Sequence, residues 1–482
     1  MIGIVSFGGY IPRLRLSRKS IVQQIGWLNP AIAGGAQGER SMCNFDEDSV
    51  TMAVAAARDC LVGQDKQKVD GVYLASTTLP FADRLNAGIV TTALNLRDEI
   101  MTADFTSSQR AGTTALIAGL QAIKSGDKKS ILVAATDKRE TKSGSTYEMW
   151  FGDGAASVLL GDENVIAEFK GSHSVTLDFV DHYRGAMRQY DYSWEERWIR
   201  DEGYAKIVPR AIKGLLAKLE MTMADVDKLI FPCFFKREHA SIAKALGATP
   251  EKVVDNMHEV CGETGVAHPL VMLVSTLEAA KPGERIVVAG FGQGCEALCF
   301  QVTDKIQDLA SRRGIRGALA NKETTDNYMK FLKWRNLIIT EGGIRSEAPS
   351  QHALTVLFRQ RKTLLGLVGG KCRKCGTAQY PKMEICVNPE CRTAHSQDEY
   401  EFADVPAAIK TFTADNLAAS VNPPNMYGMI QFEGGGRFQS DFTDCKLADV
   451  KVGMPVKMTF RIHAVDEDRG FTGYFWKAIP IV

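Results

Sequence analysis

The strongest regularity along the chain is the recurrence of apolar runs at matching intervals. A helical pattern over Ala53 to Leu61 leads to Val69 to Ser76, which reads Val-Asp-Gly-Val-Tyr-Leu-Ala-Ser. After a second helical stretch comes Gly126 to Asp137, with Ile-Leu-Val-Ala-Ala at its centre. The order repeats further on: a helical pattern over Ile207 to Leu219, then Val226 to Cys233, then Lys281 to Gly290. Val69 and Ile131 stand 62 residues apart, Val226 and Ile286 stand 60 apart. Two copies of one helix–strand–helix–strand unit account for that match and predict a duplicated α/β domain. The unbroken apolar runs Ile131 to Ala135 and Ile286 to Ala289 predict central strands buried on both faces.

From about Thr303 to His352 the pattern changes. Charge rises, strand signals stop, and Asn327 to Ile339 predicts an amphipathic helix carrying Trp334. Pro, Gly and Ser are not enriched, so this reads as a connector that docks rather than as a flexible linker. Beyond it lie a cysteine cluster and short alternating segments such as Val456 to His463 and Gly473 to Ile479. Turn residues separate these segments, among them Pro423-Pro424 and Gly434-Gly435-Gly436. That grammar predicts a small β-barrel. The expected boundaries are 1–303, 304–354, 355–399 and 400–482.

Composition narrows the class. A chain of 482 residues exceeds one ordinary core, and its apolar and charged fractions are those of a globular protein. A net charge of +1 argues against bulk binding to nucleic acid or to a membrane surface. No stretch approaches the roughly 18 to 20 apolar residues of a bilayer span. The opening Met-Ile-Gly-Ile-Val-Ser-Phe lacks a charged leader and reads as a first strand. Of the 11 cysteines, several, such as Cys60, Cys261 and Cys299, sit in apolar segments. An odd number so placed suits free thiols in a reducing cytoplasm.

Four cysteines stand apart. Cys372-Arg-Lys-Cys375 and Cys386-Val-Asn-Pro-Glu-Cys391 are separated by ten residues. One C-x2-C knuckle grips a metal from a tight turn, and the second pair completes a closed tetrahedral shell with no open position. The site is therefore expected to hold structural zinc. A redox C-x-x-C would leave Cys386 and Cys391 without a role. His395 is an alternative ligand.

The first 300 residues resemble the thiolase superfamily, and within it the archaeal-type branch of 3-hydroxy-3-methylglutaryl-CoA synthase. The likeness rests on Gly8-Gly-Tyr-Ile-Pro-Arg, Glu47-Asp-Ser-Val, Val54-Ala-Ala-Ala-Arg, Ala111-Gly-Thr, Phe151-Gly-Asp-Gly-Ala-Ala and Ser174-Val-Thr-Leu-Asp-Phe. Lys281-Pro-Gly-Glu-Arg and Gly290-Phe-Gly-Gln-Gly complete it. Residues 355 to 482 resemble the zinc-ribbon plus OB-fold partner of such acyl-CoA enzymes, here fused. The resemblance implies a five-layered αβαβα fold, a homodimer, and a pantetheine tunnel leading to a buried site between the repeats. CoA would be the substrate carrier.

It also implies a cysteine nucleophile at a helix start, a histidine after the third strand and an asparagine before the last long helix. This chain departs at all three. Gln109 stands in the cysteine position of Asp104-Phe-Thr-Ser-Ser-Gln, Cys233 in the histidine position, and Glu263 in the asparagine position of Cys261-Gly-Glu-Thr-Gly. The branch's general-acid glutamate is replaced by Thr77. An amide cannot form an acyl-enzyme, so ordinary thioester exchange at Gln109 is excluded, although Gln109 can still donate hydrogen bonds.

Glu263 is either a buried carboxylate raised to a usable base or an exposed group at a helix start. Cys233 is either a relocated nucleophile or an inert core residue. His268, in Gly265-Val-Ala-His-Pro, reaches Glu263 only obliquely by helical spacing. His182 and Tyr183 fall in the segment resembling the family's substrate-facing loop. Lys236 and Arg237 either meet CoA phosphates or are solvated charges. The expected function is an acyl-CoA carbon–carbon lyase of retro-aldol type. Alternatives are a Claisen-type synthase using Cys233, a malonyl-type decarboxylase, or a non-catalytic acyl-CoA scaffold.

Overall fold

The computed structural model describes residues 1–347 and 351–481. The chain forms two compact units. One comprises Met1–Cys43, Asp48–Gly88 and Arg97–Leu337, and the other Asn44–Glu47, Ile89–Leu96 and the chain from Ile338 on.

Nine strands of the first unit build one sheet. In chain order they are β1 (Gly3–Tyr10), β2 (Gly71–Ala75), β3 (Met101–Phe105), β4 (Ser130–Lys138), β5 (Asp153–Gly161), β6 (Ala167–Thr176), β7 (Lys228–Ile230), β8 (Arg285–Phe291) and β9 (Gly294–Val302). The spatial order is β7-β8-β9-β6-β1-β5-β4-β2-β3. Read outward from the β1–β6 seam, β1-β5-β4-β2 mirrors β6-β9-β8-β7, so the duplication is real. The matched pairs are parallel: Gly71 faces Ile131 and Lys228 faces Ile286. Only β3 lacks a counterpart.

Alternation along the strands sorts side chains into layers. Ile286, Val288, Leu298 and Phe300 point into one core, which Ile131, Val133, Val158 and Leu160 of the other half-sheet also enter. Between the halves lie helices α2 (Ala111–Lys124) and α4 (His268–Leu277). Helix α4, Pro-Leu-Val-Met-Leu-Val after its first residue, is apolar around its whole circumference, as a central helix must be. Val287, Ala289, Ala297 and Cys299 face the opposite way, onto α3 (Ala205–Lys218). Helix α3 buries Ile207, Val208, Ala211, Ile212, Leu215 and Leu216 and leaves Lys206, Arg210 and Lys213 outside. Helix α1 (Ser49–Cys60), capped by Asp48, covers the other outer face through Met52 and Ala56. The five layers are thus α1, half-sheet, α2 with α4, half-sheet, α3.

The connector contains a strand that its composition did not announce: Glu323–Thr325 pairs in parallel with Leu14–Ser17. The helix expected from Asn327 to Ile339 runs only from Tyr328 to Trp334. It stops because Asn336 takes a left-handed conformation (φ 54°), and Ile339 lies fully exposed. Among the described residues no helix is long and apolar enough to cross a membrane.

In the second unit, Val368–Cys372, Ala378–Gln379 and Gln397–Glu401 form a small sheet. Ala407–Asp415, Asn425–Phe432, Arg437–Asp441, Pro455–Asp466 and Phe471–Pro480 form a five-stranded sheet. It closes where Phe442 bridges Ala478 and the Thr443 amide donates to the Ala478 carbonyl (3.0 Å). That is the small β-barrel the alternating segments predicted, of the OB type that the resemblance implied. Trp476 fills it with no exposed surface, its indole N–H donating to the Leu365 carbonyl at 2.7 Å. Trp476→Ala is expected to destabilise this unit by about 3 to 5 kcal/mol, read as an earlier urea midpoint in its unfolding transition.

Candidate active site

The carboxyl ends of the parallel strands converge, the usual place for a site in such sheets. Thr77 follows β2, Gln109 follows β3 at the mouth of α2, Arg139 follows β4, and Pro232 follows β7. Gln109, Arg139, His182, Pro232, Glu263 and Phe291 all line a cavity of about 30 Å³. That is room for roughly one water. Gln109 and His182 also line a larger cavity of about 680 Å³.

Glu263 is a buried carboxylate, only 5% exposed, and not a surface group at a helix start. Its backbone is pinned on both sides: its amide donates to the Trp150 carbonyl (2.7 Å), and its carbonyl accepts from the Gly152 amide (2.9 Å). Burial raises its pKa above the ordinary 4.5, against the pull of His268 and Arg139. Its Oε2 lies 3.1 Å from Nε2 of His258 and 3.6 Å from Nε2 of His268.

The two histidines differ. Nδ1 of His268 accepts from the Thr264 backbone amide (3.1 Å), a group that can only donate, so Nε2 carries the proton and donates to the Asn256 carbonyl (2.8 Å). His268 therefore comes closer to Glu263 than helical spacing suggested, yet both its nitrogens are used. This tautomer also argues against a metal held by His258, Glu263 and His268, although their ligand atoms lie within 4.8 Å of one another. His258 has no such anchor. Burial, with Arg18 nearby, pushes its pKa down to about 3, so it is neutral.

Gln109 is oriented by a chain of donors. Asp137 accepts from the Thr77 hydroxyl at 3.0 Å, and that hydroxyl oxygen accepts from Nε2 of Gln109 at 3.2 Å. One amide hydrogen is thus committed, which leaves the second N–H and Oε1 of Gln109 for a ligand. Arg139 is held by Asp191 (2.8 Å) over the Phe151 ring, 3.8 Å from its centroid. Arg184 pairs with the same carboxylate at 2.8 Å and reaches the Thr77 carbonyl. Burial favours protonation of Asp191, but Arg139, His182 and Arg184 together hold it below the ordinary 3.8.

Cys233 does not line the small cavity; its neighbour Pro232 does. Cys233 borders another cavity, of about 1260 Å³, with Trp150, Lys236, His258 and Phe234, the last of which also lines the small cavity. Burial pushes its thiol up to about 12, and that of Cys261 likewise to about 12. Lys236 is exposed and pairs with Glu259 at 3.0 Å, while Arg237 is exposed on the same helix, Lys236–Ala245. Tyr183 is exposed and packs on Tyr192.

Sequence reasoning did not single out His258, Asp137, Arg139, Asp181, Asp191 or Arg184. The chain has only eight histidines, so His258, five residues before Glu263, was open to notice.

In the second unit the sulfurs of Cys372, Cys375, Cys386 and Cys391 lie within 4.8 Å of one another. Cys372 and Cys391 are 3.9 Å apart, Cys375 and Cys386 3.5 Å. Zinc–sulfur bonds of about 2.3 Å give tetrahedral edges of about 3.8 Å, so the four could hold a zinc ion. His395 is exposed, bonded to Glu384 at 2.6 Å, and outside this group.

A duplicated five-layer fold with its pocket at the strand ends marks an enzyme of the thiolase superfamily. Similar solved structures include 3-oxoacyl-(acyl carrier protein) synthase III of Pseudomonas aeruginosa, 21% identical, covering 63% of this chain and 98% of that one with a TM-score of 0.56. Xanthomonas campestris OleA with bound lauric acid and lauroyl-CoA is 19% identical, with 63% and 98% coverage and a TM-score of 0.55. Residues 216–303 match the family model for the C-terminal part of 3-oxoacyl-(acyl-carrier-protein) synthase III, and residues 403–461 match the model "ChsH2, C-terminal OB-fold domain". Hydroxymethylglutaryl-CoA synthase of Archaeoglobus fulgidus is 30% identical over 344 residues, 70% of this chain and 99% of the relative. That of Caldivirga maquilingensis is 29% identical over 345 residues, 70% and 98%. The chain belongs to the hydroxymethylglutaryl-CoA synthase family, with an OB-fold domain fused to it.

Thiols raised to about 12 are almost wholly protonated at neutral pH. Iodoacetamide applied to the native protein near neutrality should therefore leave Cys233 and Cys261 unmodified in a peptide map, and label them only after unfolding.

Proposed function

We propose that this protein is an acyl-CoA carbon–carbon lyase that cleaves a β-hydroxyacyl-CoA by a retro-aldol route without an acyl-enzyme. One observation carries this reading: a buried glutamate shares a pocket with a glutamine at the helix mouth, and no thiol lines that pocket among the described residues. Glu263 takes the β-hydroxyl proton. The Cα–Cβ electron pair moves onto the thioester as Cβ becomes a carbonyl. The enolate oxygen accepts from the free N–H of Gln109, and the fixed charge of Arg139 lies beside the pocket. Neither step needs a cysteine. The CoA carrier enters through the cavity bordered by Lys236, and the acyl part occupies the one lined by Gln109 and His182. The working form in this reading is a cytoplasmic homodimer.

The relatives are named as synthases, which favours bond formation on the same class of thioester as a second reading. Its covalent version would run through Cys233, whose burial and raised pKa oppose it. A panel of β-hydroxy- and β-ketoacyl-CoAs read by mass spectrometry separates the two. Cleavage of a β-hydroxyacyl-CoA with no mass added to the protein supports the lyase, whereas an acyl adduct on Cys233 supports the synthase.

The base must be ionised to act, so kcat should rise with pH through the raised pKa of Glu263, with a midpoint above 4.5. Glu263→Gln should lower kcat by about 10²- to 10⁴-fold with little change in KM, and remove that acid limb. A variant keeping more than about a tenth of the activity would take Glu263 out of the mechanism.

Zinc belongs to the same proposal as a structural ion held by Cys372, Cys375, Cys386 and Cys391. It contributes folding energy and takes no part in the reaction. Metal analysis should give one zinc per chain. Cys375→Ser should lose it and melt the second unit first, and an intact, zinc-free second unit would contradict the assignment.

A further inference from the structure

A retro-aldol cleavage requires two proton transfers, one from the β-hydroxyl and one to the α-carbon of the enolate left behind. Glu263 serves the first. The pocket holds a second group suited to the other, on a segment far from Glu263 in sequence. His182 and Tyr183 pair with Ser193 and Tyr192 in a short antiparallel ribbon beyond the end of β6. Nδ1 of His182 lies 2.8 Å from Oδ2 of Asp181, and the two side chains are only 14% and 10% exposed. Asp181 is fixed in turn: its Oδ1 accepts from Gln293 (3.3 Å), and its backbone carbonyl accepts from the Trp194 amide (2.9 Å).

A carboxylate can only accept, so Nδ1 of His182 carries a proton and the chemistry of the ring is left to Nε2. Nε2 has no hydrogen-bond partner among the described residues. The contrast with His268, both of whose nitrogens are engaged by the backbone, is direct. His182 lines the small cavity together with Glu263 and Gln109, and lines the 680 Å³ cavity as well. It therefore stands where the two spaces meet.

We propose that the Asp181–His182 pair is the second proton-transfer device of this site, with His182 acting on the α-carbon of the thioester and Asp181 positioning it. The inference rests on the acyl-CoA lyase reading and adds the residue that reading lacks. In cleavage, the β-hydroxyl proton passes to Glu263, the Cα–Cβ bond breaks to give the carbonyl and the enolate, and Nε2–H of the His182 imidazolium protonates Cα. Exchange with water returns the proton held by Glu263 to solvent and one from solvent to His182, so charge and protons balance. Run without a β-hydroxyl, the same group removes and returns an α-proton of a simple acyl-CoA.

That partial reaction supplies the test, because it needs no knowledge of the natural substrate. The full-length protein is incubated with acetyl-CoA or propionyl-CoA in D2O, and α-deuterium is followed by mass spectrometry. The expected result is enzyme-dependent exchange that falls by about 10²-fold or more in His182→Gln. Asp181→Asn should lower the exchange rate while leaving the Kd for propionyl-CoA unchanged, a split that mere loosening of the loop would not give. Thermal melts matching wild type keep the comparison valid. Exchange retained within threefold in His182→Gln overturns the proposal, as does wild-type protein that exchanges neither thioester. The two readings fail separately: His182-dependent exchange without cleavage of any β-hydroxyacyl-CoA sinks the lyase and keeps the pair, and cleavage with His182-independent exchange does the reverse.

Discussion

The pocket depends on one buried anion. Asp137, at the end of β4, accepts from Oγ of Ser76 (2.9 Å), from the amide and hydroxyl of Thr77 (2.8 and 3.0 Å), from the Thr78 hydroxyl (3.0 Å) and from the Val266 amide (2.9 Å). Taking a carboxylate out of water costs several kcal/mol unless donors replace the lost hydration, and here five do. The Thr77 loop follows the second strand of the first repeat, and Val266 precedes the central helix of the second. A single carboxylate therefore ties both repeats at the point where the chemistry is placed. Gly265 has to be glycine for the same reason: its φ is +62°, and a Cβ there would run into Oδ2 of Asp137.

From that anchor the role proposed for Gln109 follows. Because Asp137 takes the Thr77 hydroxyl proton, Thr77 can only accept from Gln109, and the amide is locked one way round. Where a thiolate would have been an electron-pair donor at the mouth of α2, the chain offers an oriented dipole. Such a group can hold and polarise a thioester but cannot bond to it. In the proposed reaction the burden shifts to proton transfer, and burial has moved the ionisation of Glu263 upward and that of His258 and His268 beside it downward.

Much of this was legible in the sequence. The 62- and 60-residue spacings gave the duplicated sheet because a repeated unit must place equivalent strands equivalently, and Gly71–Ile131 and Lys228–Ile286 are that equivalence. Spacing alone brought the four cysteines together. Glu263 was identifiable as a departure from its family, but its burial was not, since Gly-Glu-Thr suits a surface turn equally well. The burial comes from the Trp150–Gly152 backbone, over a hundred residues away. The position of Cys233 was beyond one-dimensional reading too: one residue along a strand end separates Pro232, in the small cavity, from Cys233 outside it. Arg139, Asp181 and Asp191 carry no motif and become a group only when the ribbon after β6 folds back.

The charges around the pocket bear on the direction in which a proton moves. Asp191 is shared by two guanidiniums, Arg139 and Arg184, so that trio carries one net positive charge next to the site. Asp137 accepts from five neutral donors and also favours the charge on Arg139. An ionised Glu263 is therefore attracted by Arg139 and repelled by Asp137, and desolvation outweighs the net attraction, leaving its pKa raised. In the proposed cleavage, as Glu263 accepts a proton from the ligand, the negative charge leaves its buried carboxylate and appears on the thioester oxygen. That oxygen can be met by the Gln109 amide, which is already oriented and needs no rearrangement. Proton uptake by Glu263 thus relieves the same burial that raised its pKa. The arrangement would be unfavourable for a group whose task was to remain a permanent counter-ion, and it suits one whose charge is meant to move.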